Sequence, residues 1–178
     1  MFLSILFCEE VIYAYLITQL FCRGFADYMA HGGDLVYQQL CEEITTEFND
    51  CSKQVLEMES LFLMPDISRS DLACILRDVQ AEEKKKLHMT ARIQMLKKAG
   101  WPSERLVSHK GCRFMSREEH ECRHVREITE ADGTEDAEAD AEHDSSLKDA
   151  IRGVQDAVTN INDRLEEIRY EIDSLQSD

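Results

Sequence analysis

At 178 residues, with a formal net charge of −16 and 43% hydrophobic residues, the chain is long enough for one packed domain and too acidic as a whole for generic binding to polyanions. Two prolines and seven glycines are too few turn-formers for a sandwich or a barrel, so the composition predicts an all-α protein, an antiparallel helical bundle. The seven cysteines are an odd number, and reduced thiols in a nuclear or cytoplasmic protein are the expectation.

In chain order, residues 1–30 begin with an apolar run that Glu9 and Glu10 interrupt. No basic leader or small-residue cleavage motif marks a signal peptide, and the clean run from Val11 to Leu20 has about half of the ~20 residues that a membrane span needs. Val11, Ala14, Thr18, Phe21, Phe25 and Tyr28 instead form a stripe at helical spacing and predict a core helix. His31-Gly32-Gly33-Asp34 predicts a stop and a restart, with glycine in the left-handed position and Asp34 capping the next helix.

From Asp34 to Phe62 the pattern is regular. Tyr37, Cys41, Ile44, Phe48, Cys51, Val55, Met58 and Phe62 recur at steps of four and three, while Glu42, Glu43, Glu47, Asp50 and Glu57 fill the other face. This is a helix with one apolar seam, which must be covered by something else. Cys41 and Cys51 serve in it as small apolar residues. Met64-Pro65 ends the helix. Ser68 to Asp71 has capping-box spacing, and a third helix to about Ala99 follows, with Leu72, Ile75, Leu76 and Val79, then Glu82-Glu83-Lys84-Lys85-Lys86 as a solvated charge run with a Glu82–Lys86 pair, then Leu87, Ala91, Met95 and Leu96. Gly100-Trp101-Pro102 closes it.

Residues 101–145 lose helical periodicity, and from Glu127 to Asp144 there are nine acidic residues and no lysine or arginine. That composition predicts a flexible insert, basic and then acidic. Ser146 and Asp149 offer a cap for a last helix, whose Leu147, Ile151, Val154, Val158, Ile161, Leu165, Ile168, Ile172 and Leu175 repeat at four and three. Its seam, Ile151, Val154, Val158, Ile161, Leu165, Ile168 and Ile172 above all, must dock on the core or on a partner helix. The division predicted is 1–100 core, 101–145 insert and 146–178 C-terminal helix.

Phe25, Tyr28, His31-Gly32, Tyr37, the block Leu40-Cys41-Glu42-Glu43-Ile44-Thr45-Thr46-Glu47-Phe48, Val55 and Glu59, then Leu76-Arg77, Gln80, Glu83, Leu87, Thr90-Ala91, Gln94 and Gly100 together resemble the required-for-excision B-type family. The similarity runs over about residues 21–100, and Leu147 to Ile172 is similar to that family's last helix. The resemblance implies a role in repair of DNA damage and supplies no catalytic residues.

The residues themselves bear on three chemistries. His109, Cys112, His120, Cys122 and His124 are zinc-type ligands, but no Cys-x2-Cys is present and the spacing fits no standard knuckle, so no metal and no other cofactor is expected. No spacing brings Cys41, Cys51 or His88 into a nucleophile–base pair, and no glycine-rich phosphate loop occurs, so no catalytic residue, enzyme activity or small-molecule substrate is expected. Between Lys84 and Arg126 lie twelve basic and four acidic residues, and Lys84, Lys85, Lys86, Arg92, Lys97 and Lys98 on the third helix are the candidate phosphate contacts. Any such contact with DNA would be weak, salt-dependent and blind to sequence, with Trp101 able to stack on a base. The reading is a non-enzymatic helical adaptor or scaffold in DNA damage repair with protein partners bound through helices. The competing reading is a coiled-coil subunit of some other intracellular assembly.

Overall fold

Each apolar stripe becomes the inner face of a helix. The computed structural model describes residues 2–104 and 130–177, with side-chain surroundings for 12–103 and 134–171. Among these residues the elements are α1 (Phe2–His31), α2 (Asp34–Phe62), α3 (Ser70–Ala99), a 3-10 turn at Pro102–Glu104 and α4 (Glu130–Ser177), with no strand. The α2 seam is inward over its whole length, with Ile44, Cys51, Val55, Met58 and Phe62 buried and Tyr37, Cys41 and Phe48 half-buried. On α1 the expected stripe is likewise inward at Ala14, Thr18, Phe21 and Phe25, and Ile17 joins it.

Polar contacts fix the register. Tyr28 donates to Asp34 Oδ1 at 2.8 Å and Tyr13 donates to the Glu47 carboxylate, so α1 and α2 run antiparallel. Tyr37 donates to Gln94 Oε1 at 2.5 Å, Gln80 donates to the Ser52 carbonyl at 3.0 Å, and Arg77 pairs with Glu59, so α3 returns along α2. The chain then reverses again: the His143 ring lies 3.1 Å from the Leu96 carbonyl, Arg164 is 3.2 Å from Asp78 and Arg69 is 2.8 Å from Glu171. α3 is therefore flanked by α2 and α4, both antiparallel to it. Two apolar clusters result. Ile17, Phe21 and Ile44 pack with Leu40, Leu87 and Ala91 at the α1 end, and Val55, Met58, Phe62, Leu76, Val79, Ile161 and Ile168 at the other, where α4 supplies the cover.

The turns are close to expectation and the caps are not. Gly32 and Gly33 take φ of 74° and 99°, values that only glycine adopts without strain. Asp34, however, is the first residue of α2 and its carboxylate is engaged by Tyr28 and Lys98, leaving Gly33 as an N-cap with no side-chain hydrogen bond. The Ser68–Asp71 capping box does not form either. Ser68 has φ 49°, and Asp71 is held by Arg69 in a two-pronged contact of 3.0 and 2.7 Å. Arg69 outcompetes the weaker amide donors because its guanidinium is charged and forked.

Two larger differences concern α4. The helix begins at Glu130, so residues 130–144 of the acidic insert are helical and Ser146 lies inside the helix rather than at its start. Alanines at 131, 137, 139 and 141 are strong helix formers, and acidic side chains in the first turns favour the positive end of the helix dipole. The buried face is also rotated. Ile161 and Ile168 face the core as expected and Val154 and Leu165 are half-buried, but Ile151 and Val158 remain 40% and 41% exposed, while Ala150 and Ala157 are 1% and 0% exposed. The apolar stripe of α4 is wider than one contact can cover. The edge that wins carries the small residues, since alanine lets two helix backbones approach closely and bring more atoms into contact. The Ile172 side chain lies outside the described surroundings, as do His109, Cys112, His120, Cys122 and His124.

This packing has a measurable consequence. Ala157→Leu inserts three carbons into a filled seam and should destabilise the protein by about 1–3 kcal/mol. Asp156→Leu, one position away on the exposed face, should change stability by less than about 0.5 kcal/mol. Urea unfolding followed by circular dichroism measures both.

Candidate helix-binding trough

α3 carries two kinds of inner surface. From Ala73 to Val79 its buried residues are apolar, and the same spacing then continues through Glu83, Lys86, Thr90 and Gln94, all at most 7% exposed. The polar half is where α1 and α4 part. α1 is drawn toward α2 at Gly24, where a Cβ would overlap the Leu40 side chain, and α4 is drawn onto α3 at its alanines. Between them an open trough runs along α3.

One part, of about 570 Å³, is walled by Ile12, Tyr15, Gln19 and Cys22 of α1 and by Val154, Val158, Ile161 and Leu165 of α4, with Glu83, Lys86 and Thr90 as its floor. The next, of about 730 Å³, shares Cys22, Thr90 and Val154 and continues past Phe25, Ala26, Met29, Ile93, Gln94 and Lys97. The walls are apolar and the floor is polar. Burial pushes the Cys22 thiol up from its ordinary value, opposed by the charge of Lys97, so it is a poor nucleophile at neutral pH.

The floor centres on an ion pair. Lys86 Nζ lies 2.5 Å from Glu83 Oε2, both side chains are 7% exposed, and that oxygen takes no well-directed hydrogen bond. Burial raises the Glu83 pKa above its ordinary value, against the opposing influence of Lys86. Lys86 was expected among the phosphate contacts and is instead inside the fold, and the expected Glu82–Lys86 pair is replaced by Lys85–Glu82 at 3.3 Å and Lys86–Glu83. The inner stripe of α3 passes through residue 86, and this decides its direction.

The other candidate cations do not share a face. Lys84 and Arg92 are exposed on the outer side of α3, Lys85 is half-buried, and Lys97 borders the trough. Lys98 is at the far end of the bundle, 3.1 Å from Asp34 and 4.7 Å above the Tyr28 ring, which itself stacks on Tyr37 at 4.7 Å. Hydrogen bonds from Tyr28 and Lys98 hold the Asp34 carboxyl below its ordinary pKa, and burial raises the Tyr37 phenol above its own. Trp101 is 38% exposed and tilts against His143 with ring centres 5.2 Å apart. Among the described residues no cluster of His, Cys, Asp or Glu could hold a metal ion, and no helix is long and apolar enough to cross a membrane.

Several of the polar residues that carry the family resemblance pin helices together. Tyr37 and Gln94 join α2 to α3, Gln94 also donates to the Phe21 carbonyl at 3.3 Å, Gln80 holds Ser52, Arg77 holds Glu59, and Glu83 lies under the trough. Fold and site thus define a class, the antiparallel helical bundle with polar cross-links and one open apolar trough. Residues 14–97, from α1 through nearly all of α3, match the model of the family described as DNA repair REX1-B, the family that the residues quoted above resemble. No curated protein and no solved structure matches the chain.

The ion pair is testable on its own. Lys86→Ala leaves a buried carboxylate without its cation and should cost about 3–5 kcal/mol, whereas the double change Glu83→Leu with Lys86→Met should restore most of that stability. The pH dependence has a definite sign. A carboxyl whose pKa is higher folded than unfolded binds its proton more tightly in the native state, so its contribution to stability falls as pH rises from the ordinary value of 4.5 through the raised one. Glu83→Gln should therefore gain on the wild type across that window and run parallel to it above, in denaturant midpoints measured from pH 4 upward.

Proposed function

We propose that the protein is a non-enzymatic helical adaptor in DNA damage repair, acting through helix-to-helix contact in the trough between α1 and α4. The family match over residues 14–97 supports the repair association. The observation that carries the adaptor reading is the trough itself, with apolar walls that include Val158 at 41% and Tyr15 at 55% exposed. Two parallel ridges with a gap between them are the shape into which an amphipathic helix lays its apolar face. Nuclear or cytoplasmic residence and protein partners belong to the same proposal, and DNA contact is secondary, since Lys84, Arg92, Lys97 and Lys98 are dispersed over the surface.

The test is co-purification with repair proteins from cells with and without DNA damage. Wild-type protein should recover them, and Val158→Asp, which puts a carboxylate on the trough wall, should lose at least tenfold while keeping its helicity. Equal recovery by the two proteins would remove the trough from the function. Recovery of an assembly unrelated to DNA, unchanged by damage, would favour the general coiled-coil subunit.

A further inference from the structure

α1 is apolar nearly all round. Between Val11 and Tyr28 its charged residues are Arg23 and Asp27, and outside its inner stripe Ile12, Leu16 and Leu20 are 57%, 50% and 56% exposed. A helix of this kind belongs in the interior of something. Outside the buried stripe, Ile12, Tyr15, Gln19, Cys22, Ala26 and Met29 are among the α1 residues that line the trough. They recur at steps of three and four without a break. α1 therefore has two seams: the inner one faces α2 and α3, and this second one faces the trough.

We infer that the occupant of the trough is α1 of a second copy of this chain. The proposal rests on the trough being the interaction surface and names its partner; repair proteins are then recovered by the dimer, and Val158→Asp lowers their recovery by separating the two copies. The arrangement follows from symmetry. With a two-fold axis parallel to the helices and passing between the two copies of α1, each α1 lies in the other chain's trough, and the dimer has three layers: α2, α3 and α4 of one chain, the paired α1 helices, and α4, α3 and α2 of the other. Every residue of the second seam then faces its own counterpart, as in a parallel two-stranded coil. Gln19 is the polar member of the seam and can hydrogen-bond its counterpart, setting the register as a seam amide does.

Charge agrees with this placement. Phe21 lies beside Gln94, and Leu96 lies beside His143, so the exposed Arg23 is level with the acidic start of α4. In the two-fold dimer it points at the α4 of the other copy, where Glu142 is exposed and Asp144, half-buried, already pairs with Lys148. The one cation on the outer part of α1 thus meets the most acidic stretch of the partner helix.

The test uses the full chain, purified alone. Light scattering behind gel filtration at 10–100 µM should give twice the 20.6 kDa of one chain. Tyr15→Glu changes a residue exposed in the single chain, so it should halve the mass with unchanged helicity. Orientation is read by a short bis-maleimide linker, with the linked residues located by mass spectrometry of the peptides because other cysteines remain, Cys74 among them exposed: Met29→Cys in a Cys22→Ser background should link position 29 to position 29 of the other copy, because parallel helices place residue 29 opposite its counterpart while antiparallel ones place it opposite residue 12. A monomer throughout that range would overturn the dimer and leave the trough open to a different helix, which the co-purification experiment would still detect. A dimer indifferent to Tyr15→Glu, or one that fails to cross-link at position 29, would overturn this interface.

Discussion

The inner stripe of α3 is the constraint from which the other features follow. This helix lies between α2 and α4 and touches α1, and its inward surface is apolar from Ala73 to Val79 and polar from Glu83 to Gln94. Over the apolar half, α2 and α4 close in completely, and Leu76 at 1% exposed marks the centre. Over the polar half, burial is favourable only where each group finds a partner. Gln94 does so through Tyr37 and the Phe21 carbonyl, and Thr90 through the Lys86 carbonyl at 2.8 Å. Glu83 and Lys86 have chiefly each other, and it is over this pair that the bundle stays open.

The position of α4 depends on a second simple property, side-chain size. Both flanks of its stripe are apolar, and hydrophobicity alone does not choose between Ala150 with Ala157 and Ile151 with Val158. Close approach does, because dispersion falls off over fractions of an ångström. Docking through the alanines leaves the β-branched flank at the surface, beside the exposed row on α1. Both rows border the trough, so the choice of seam in α4 creates one of its walls.

Much of this was legible in the residues. The α2 seam, the helix boundaries at Gly32-Gly33, Pro65 and Gly100, and the inner stripe of α1 follow directly from spacing, because a regular period leaves one face to bury. The last helix was legible as a helix, and Val154, Ile161, Leu165 and Ile168 as part of its covered face, but Ile151 and Val158 lie outside it, since counting large apolar residues overlooks the alanines that packing prefers. The polar floor was readable as well. Glu83, Lys86, Thr90 and Gln94 continue the α3 stripe at the same steps, but a run of lysines and glutamates suggests solvent unless the period is carried through it. The start of α4 at Glu130 was masked by acidity, which hides good helix formers such as Ala137 and Ala139. The family resemblance pointed to residues without saying what they do, and the structure shows several of them, Tyr37, Glu59, Arg77, Gln80 and Gln94, as cross-links between helices.

The account stands on α4 being docked along α3 in the full chain, because without it the trough has one wall. Hydrogen exchange measures this directly. The prediction is that amides from His143 to Ile168 exchange as slowly as those of α3 from Ala73 to Gln94, in a single cooperative unit. Exchange of 143–168 at rates close to those of an isolated helix, with α2 and α3 still protected, would contradict it.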